Sequence, residues 1–218
     1  NQRPLIVNRA RDGPKSGKLE LKNLTMRYRP DLEPALRNIS LNIDAGAKVA
    51  VVGRTGAGKS SLLLALMRFY DTDKSSSISI DGNVSTAMEG LYSTREDIAY
   101  VPQEAHLLSG TLRESLQSLS GTVGNRATGM GDSSIWKALK IVKMDHVVRN
   151  LTDGLETKIS DGGSMFSQGE RQLFCLARAL LRPALLLVAD EATASVDTDS
   201  ETMVQDVILG LPVTVLYI

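Results

Sequence analysis

The sequence predicts a mixed α/β fold with a parallel β-sheet core, an antiparallel β layer on its N-terminal side and an inserted α-helical subdomain. Residues 48–52 form a short apolar, β-branched run that is typical of a buried parallel strand, and a glycine-rich turn and the helical pattern of residues 61–69 follow it. Residues 185–189 form a second apolar run of this kind. In residues 19–22 and 39–43 apolar and polar side chains alternate, which predicts the half-buried strands of the antiparallel layer.

The composition limits the classes of function. The 218 residues contain 25 Lys plus Arg and 25 Asp plus Glu, so the formal net charge is zero and the basic excess typical of nucleic-acid-binding proteins is absent. The one cysteine, Cys175, cannot form an internal disulfide, and we expect it to pack as a small hydrophobic residue within an apolar helical pattern. No apolar run approaches the roughly 18–20 residues that span a bilayer.

The chain divides into a short linker and one large folded unit. Residues 1–17 hold prolines, glycines and basic residues with little periodicity, which is typical of a linker. The folded domain is then residues 18–218, with a mostly helical subdomain at about 104–166 in which residues 112–119 and 134–148 are helical in character. Because the sequence starts without Met and stops in the apolar run 211–218, we expect a fragment of a longer polypeptide, truncated at its C-terminus.

Residues 53–60, with the sequence GRTGAGKS, fit the pattern G-x-x-x-x-G-K-[ST] of a phosphate-binding loop. Glycines let successive backbone N–H groups turn toward phosphate oxygens, and the N-terminus of the following helix adds a partial positive charge. We expect Lys59 to contact the β- and γ-phosphates and the Ser60 hydroxyl to ligate Mg²⁺. The nucleotide-binding residues predicted in this segment are Gly53, Arg54, Thr55, Gly56, Ala57, Gly58, Lys59, Ser60 and Ser61.

The apolar run 185–189 ends in two carboxylates, Asp190 and Glu191. An acidic residue directly after a buried strand is the second half of a nucleoside-triphosphatase site, and we expect Asp190 to hold Mg²⁺ directly or through water. Glu191 can act as the general base that polarises the water attacking the γ-phosphate. With the phosphate loop, these residues predict an enzyme that binds and hydrolyses a nucleoside triphosphate.

Further motifs narrow the class of protein. The segments are YVPQ at 100–103, LSGTLR at 108–113, MFSQGERQ at 165–172 and ASVD at 194–197. Together with the phosphate loop they resemble the nucleotide-binding domain of an ABC transporter of the C subfamily (the multidrug-resistance-associated exporters), and in particular its second, C-terminal nucleotide domain. MFSQGERQ is the most specific element, because it is similar to the signature that other phosphate-loop enzymes lack. The resemblance implies an ABC ATPase fold and ATP-driven export of an organic solute.

The resemblance implies ATP and Mg²⁺ as ligands and assigns further site residues. Tyr28, whose local pattern alone fits an ordinary edge-strand tyrosine, matches the aromatic residue that stacks on adenine. Gln103 matches the glutamine that contacts Mg²⁺ or the attacking water. Ser167 and Gly169, with Gln168 between them, match signature residues that contact the γ-phosphate of ATP held by a partner. The implied partners are a second nucleotide-binding domain in a head-to-tail dimer and transmembrane domains of the same polypeptide, with this domain on the cytoplasmic face of the membrane.

Three departures from the family pattern bear on activity. Gln168 stands where the general ABC signature has Gly, and Glu170 stands where it has Gln, so we expect a weakened composite site with the partner. ABC domains also carry a histidine after the strand that here ends at Ile218, and neither His106 nor His146 can take that role. We therefore expect the isolated chain to bind Mg-ATP but to hydrolyse it slowly.

Three other functions compete with the export motor. A regulatory nucleotide sensor does not need a general base, so Glu191 favours hydrolysis over sensing. A soluble ABC-type ATPase acting on DNA or ribosomes is disfavoured by the zero net charge and by the exporter-like segment at 109–113. A metabolite kinase leaves the signature-like segment at 165–172 unexplained. The export motor remains the preferred hypothesis.

Overall fold

The computed structural model describes residues 16–85, 97–117, 131–182, 184–190 and 198–218, so that Glu191 and the ASVD motif at 194–197 lie outside the described residues. The strands are β1 (Leu19–Met26), β2 (Leu36–Ile43), β3 (Lys48–Ala50), β4 (Ser77–Ile80), β5 (Asn83–Ser85), β6 (Ile98–Val101), β7 (Gly110–Thr111), β8 (Lys158–Ile159), β9 (Leu186–Ala189) and β10 (Thr214–Tyr217). The helices are α1 (Lys59–Leu66), α2 (Leu112–Gln117), α3 (Asp132–Ile141), α4 (Asp145–Asn150), α5 (Gln168–Leu180) and α6 (Thr198–Leu209), with 3₁₀ turns at Gly154–Glu156 and Asp161–Gly163.

The antiparallel layer is a four-stranded sheet in the order β2-β1-β4-β5. Leu19 on β1 lies opposite Ile43 on one side and Ile80 on the other, so apolar side chains meet across the three strands. Leu19 and Leu21 are buried, whereas Glu20 between them is half-buried. The alternation in the sequence therefore identified both the strands and their buried face, and the antiparallel layer is confirmed.

The core is a parallel sheet in the order β3-β10-β9-β6. All four residues of β9 are buried, as expected of a strand with a neighbour on each side and a covered surface on both faces. The prediction of a buried strand over residues 48–52 is wrong in its burial and its length. β3 is an edge strand of the described sheet, its side chains are half-buried or exposed, and it ends at Ala50, beyond which Val52 is 88% exposed.

Alternate residues of the parallel sheet face two separate hydrophobic cores, because successive side chains of a strand point to opposite faces. Leu187 and Val215 pack with the core formed by α2 to α6. Val188 and Leu216 pack with the core formed by α1 and the antiparallel layer. The parallel sheet is therefore the middle layer, which confirms the predicted mixed α/β architecture.

The helical side of the molecule is built around α5, which contacts β6, α2, α3 and α6 and is buried on most of its surface. Cys175 on this helix is 1% exposed, and burial raises the pKa of its thiol, so it packs as a small apolar residue as predicted. No helix in the part of the chain that the structure describes has the length and apolar character needed to cross a membrane.

The segment 134–148, which the sequence predicts to be helical, contains two helices, α3 and α4. Lys143 has a φ of 59°, in the left-handed region, and the chain turns there before α4 begins. Val142 and Met144 on either side of the turn are both buried. The apolar pattern continues through the break because both residues enter the same core, so periodicity alone did not reveal the turn.

The turn after β4 holds the segment that leads into β1. Asp81 has a φ of 51°, and its carboxylate accepts hydrogen bonds of 2.7–2.9 Å from the backbone N–H groups of residues 16–18 and from the Ser16 hydroxyl. Burial opposes ionisation of this carboxyl group, but the hydrogen bonds outweigh it, and the pKa of Asp81 lies below its ordinary value. The charged form of Asp81 thus ties residues 16–18, which precede β1, to the turn after β4.

We expect Asp81→Asn to lower the free energy of unfolding at pH 7 by about 1–2 kcal/mol, because a charged acceptor of several hydrogen bonds is lost. The folded-state pKa is below the unfolded one, so this contribution is present above the ordinary carboxyl pKa of 3.8 and disappears as the pH falls through the folded value. Urea unfolding of both proteins between pH 7 and pH 3 tests this, with Asp31→Asn, at a 70% exposed side chain, as the control. A difference that does not shrink toward low pH contradicts it.

Candidate nucleotide-binding site

Residues 53–58 form a largely exposed loop between β3 and α1, so the chain has the strand–loop–helix order that the phosphate-loop pattern requires. Gly56 and Gly58 have φ values of 81° and 95°, a conformation that side-chain-bearing residues rarely adopt. A Cβ atom on Gly58 would lie 3.1 Å from the carbonyl oxygen of Ala35. The loop therefore runs close to the residue before β2, where an added Cβ makes a tight contact and the left-handed φ already disfavours a side chain.

The N-terminus of α1 is suited to an anion. Gly58 caps this helix without a side chain, and the first turn contains no acidic residue, so its first N–H groups and the helix dipole act at the loop. The Lys59 ammonium adds a full positive charge and donates a 2.9 Å hydrogen bond to the carbonyl oxygen of Gly53. Backbone donors, a helix dipole and a cation on one short loop are the groups that bind a polyphosphate.

Strand pairing places the second half of the site at the same edge of the sheet. β10 lies between β3 and β9, and Tyr217 pairs with Ala50 on one side and with Ala189 on the other. Because all three strands are parallel, the phosphate loop and Asp190 leave the sheet at the same carboxyl edge. The N–H of Asp190 donates a 3.0 Å hydrogen bond to the carbonyl oxygen of Val101, which anchors the residue there.

Gln103 follows β6 at this edge, since Val101 pairs with Ala189. Tyr100, for which the sequence indicated no role of its own, donates a hydrogen bond to Asp190 Oδ2 at 3.4 Å. Burial and then the negative charge of Asp190 raise the pKa of Tyr100 to about 12, so its hydroxyl remains a donor at neutral pH.

The predicted Mg²⁺ ligands Ser60, Gln103 and Asp190 comprise one hydroxyl, one amide and one carboxylate. Within the described ranges no group of three or more His, Cys, Asp or Glu side chains is arranged to hold a metal ion. Mg²⁺ in nucleotide sites uses one or two carboxylates together with substrate phosphates and water, so this small set of oxygen ligands fits the ion. A carboxylate-rich cage is not needed.

Tyr28 lies in the loop between β1 and β2, and it is therefore not an edge-strand residue. Its hydroxyl lies 2.8 Å from Ser61 Oγ, and Ser61 is a buried residue of α1. Its ring packs against Tyr70 with the centroids 4.9 Å apart, and 40% of Tyr28 remains exposed. The structure thus joins the predicted adenine-contacting residue to the phosphate-loop helix, and Tyr70 is a neighbour that the sequence did not reveal.

The signature segment forms the N-terminus of α5. Ser167 is the exposed N-cap residue, its hydroxyl accepts a 3.2 Å hydrogen bond from the Glu170 N–H, and its own N–H donates a 2.8 Å bond to Glu170 Oε2. This reciprocal pair is a capping box, so Glu170 has a local structural role that the comparison with the family signature did not suggest. Gln168 begins the helix half-buried, and Gly169 is buried.

Gln172 connects the signature helix to the Gln103 segment. Its side chain is 1% exposed, and its Nε2 donates a 3.1 Å hydrogen bond to the carbonyl oxygen of Pro102, next to Gln103. The sequence signal was a glutamine inside a helix whose buried side is apolar apart from this residue and Arg178. A buried amide of this kind needs a partner, but the sequence does not identify which one.

The fold and the site define an ATPase domain of the phosphate-loop class. Residues 36–194 match the family model described as ABC transporter. The chain is 44% identical over 196 residues to ABC transporter C family member 3 of Dictyostelium discoideum, covering 90% of this chain and 13% of that protein. It is 40% identical over 212 residues to Metal resistance protein YCF1 of Saccharomyces cerevisiae (95% and 13%) and 42% identical over 205 residues to ATP-binding cassette sub-family C member 3 of Rattus norvegicus (94% and 13%).

The chain belongs to the ABC transporter family and is an ATP-binding domain of its C subfamily. The family match confirms the class of enzyme, an ATPase, that the sequence predicts. The chain spans about 13% of the length of these three relatives.

We expect Gly58→Ala to lower the free energy of unfolding by about 1–2 kcal/mol through its left-handed φ alone. We also expect it to weaken Mg-ATP binding about tenfold, or roughly 1.4 kcal/mol, because the new Cβ displaces the loop from Ala35. Gly46→Ala is the matched control, since Gly46 has a φ of 75° but nothing within 4 Å of an added Cβ. Titration calorimetry and denaturant unfolding measure both effects. Equal loss of ATP affinity in the two variants would contradict a specific role for the loop geometry.

Proposed function

We propose that this chain is the ATP-hydrolysing motor domain of a membrane exporter of organic solutes, and that it is the second, C-terminal nucleotide-binding domain of that protein. The observation that carries the proposal is the pairing of β10 with both β3 and β9, which brings the phosphate loop and Asp190 to one edge of the sheet. The names of the relatives support transport, and one of them is a probable multidrug resistance-associated protein of Drosophila melanogaster.

In the proposed ATP site the chain binds the triphosphate through the N–H groups of residues 53–61 and through Lys59. Tyr28 contacts the base, while Ser60, Gln103 and Asp190 provide oxygen ligands for Mg²⁺. The ion, when bound, neutralises charge on the phosphates and polarises them toward attack. Glu191, directly after Asp190 in the sequence, orients the attacking water and accepts its proton.

The N-terminus of α5 is proposed to contact ATP held by a second nucleotide-binding domain in a head-to-tail dimer. Ser167 and Gly169 bring a hydroxyl and N–H groups to this helix end, with Gln168 between them. Glu170 places a carboxylate beside the same end, where it binds the Ser167 N–H and opposes the approach of an anion. We therefore infer that this helix contributes weakly to γ-phosphate binding compared with a helix that has glutamine at this position.

The hydrogen bond from Gln172 to Pro102 can couple the proposed partner contact at α5 to the proposed Mg²⁺ site at Gln103. It joins the helix that is proposed to contact the partner to the segment that holds Gln103.

We propose that residues 18–218 form the nucleotide-binding domain, with the helical subdomain at about 104–166, on the cytoplasmic face of a membrane. Transmembrane domains of the same polypeptide are its proposed second partner, as the share of the relatives that the chain covers suggests.

Hydrolysis is tested by comparing Glu191→Gln with Lys59→Ala in the membrane-bound protein. Loss of a general base lowers the rate by about 10²–10⁴-fold, so we expect Glu191→Gln to bind Mg-ATP as the parent does while its turnover falls by that factor. We expect Lys59→Ala to lose binding itself, because the cation at the phosphate loop is gone. Nucleotide binding and phosphate release are measured on the same preparations. Undiminished turnover in Glu191→Gln would refute the role of Glu191.

The transporter assignment is tested by the size and fractionation of the native protein. An antibody against this segment should detect a membrane-bound polypeptide several times larger than 23.5 kDa, because motor and membrane domains are proposed to share one chain. A soluble polypeptide near 23.5 kDa would exclude export for this protein. Carbonate washing of the membranes is the control, since it releases peripheral proteins but leaves integral ones.

A further inference from the structure

The ring of Tyr28 is held by two contacts of different chemistry. Its hydroxyl lies 2.8 Å from Ser61 Oγ in a partly buried hydrogen bond. Its ring lies 4.9 Å, centroid to centroid, from the ring of Tyr70, and the two planes are inclined at 84°. An edge-to-face pair at this distance is attractive, because the positive edge of one ring meets the negative face of the other.

The surroundings of Tyr28 show why these contacts matter. The residue lies two positions beyond the end of β1, in a stretch where the chain turns back toward β2 with a hydrogen bond from the Leu32 N–H to the carbonyl oxygen of Arg29. The residue is 40% exposed. A half-exposed ring on a loop has several accessible rotamers, and a ligand that needs one of them must bear the entropic cost of fixing it.

The geometry fixes the ring without blocking it. Two perpendicular rings touch edge to face, so Tyr70 can cover at most one face of the Tyr28 ring and leaves at least one face accessible. Both tyrosines line an open cleft of about 580 Å³. A planar base can therefore stack on the Tyr28 ring while the contact with Tyr70 persists.

The hydrogen bond ties the ring to the element that carries the phosphate-binding groups. Ser61 is 6% exposed and stands two residues after Lys59 on α1. Tyr70 follows the same helix closely in the chain, and the Phe69 N–H beside it bonds to the carbonyl oxygen of Leu64 within the helix. Both supports of Tyr28 thus come from α1 and from the turn that follows it.

We propose that Tyr70 and Ser61 are positioning residues, which hold the Tyr28 ring for base stacking and set its distance from the phosphate loop. The proposal rests on the proposed function, in which Tyr28 contacts the base. Tyr70 acts through the ring contact alone, whereas Ser61 acts through the Tyr28 hydroxyl. The base and the triphosphate are then both bound by groups that α1 and the turn after it hold in place. A base therefore adds to the affinity of a nucleotide only when it lies at a fixed distance from the phosphates.

The test compares Mg-ATP with Mg-tripolyphosphate, which lacks the base and the ribose, by titration calorimetry on the purified full chain. We expect Tyr70→Ala to weaken ATP binding by about threefold to tenfold, from the size of an aromatic pair contribution, and to leave tripolyphosphate binding unchanged. Tyr70→Phe is the matched control and should bind ATP as the parent does, because it keeps the ring. Tyr28→Phe removes the hydrogen bond to Ser61 and should weaken ATP binding about twofold to fivefold, again without effect on tripolyphosphate.

A double-substitution cycle identifies the route of action. If Tyr70 acts through Tyr28, Tyr70→Ala has no further effect on ATP binding in a Tyr28→Ala background. Additive effects in that cycle, or an equal loss of ATP and tripolyphosphate affinity in Tyr70→Ala, overturn the positioning role. Circular dichroism checks that each variant is folded, and Tyr28→Phe, which removes a single oxygen, provides an arm that does not depend on truncating a ring.

The outcomes also separate this inference from the proposed function. If Tyr28→Ala leaves the ratio of ATP to tripolyphosphate affinity unchanged, Tyr28 does not contact the base and the proposed role of that residue fails. If Tyr28→Ala lowers the ratio but Tyr70→Ala and Tyr28→Phe do not, base stacking stands and the positioning by Tyr70 and Ser61 is overturned.

Discussion

The parallel pairing of β10 with β3 on one side and β9 on the other is the constraint on which the site depends. Tyr217 is paired with both Ala50 and Ala189, so the two strands end at the same level of the sheet. The loop that follows one strand and the carboxylate that follows the other then meet at one edge, although some 130 residues separate them in the sequence. Ligand sites of open α/β sheets form at this edge because parallel strands all present their carboxyl ends there.

The two faces of the parallel sheet pack against different sets of elements. One face packs with α1 and the antiparallel layer, which together carry the phosphate loop and Tyr28. The other packs with α2 to α6, and the N-terminus of α5 holds the signature segment. Gln172 crosses from the helical side to the edge of the sheet through its bond to Pro102. The two candidate binding regions are therefore held by different cores, which pack against opposite faces of one sheet.

Glu170 illustrates how a local requirement and a functional one can oppose each other. Its carboxylate completes the capping box with Ser167, which satisfies backbone groups at the start of α5. The same charge stands at a helix end where an anion is proposed to bind, and it offsets the favourable dipole of that end. When the sequence alone is compared with the family signature, Glu170 is only a departure from it. In the structure it is a stabilising cap, and we propose that the same charge limits anion binding at this helix.

The sequence by itself determined the features that arise from neighbouring residues. The phosphate loop, the alternation of β1 and β2 and the buried β9 were all predictable, because each depends on residues a few positions apart. The break at Lys143, the exposure of Val52 at the sheet edge and the partners of Gln172 and Tyr28 were not. Those features depend on which distant segment lies alongside, and periodicity contains no information about the neighbour. Only the tertiary structure decided them, since the packing of the layers selects the contacts that a side chain can make.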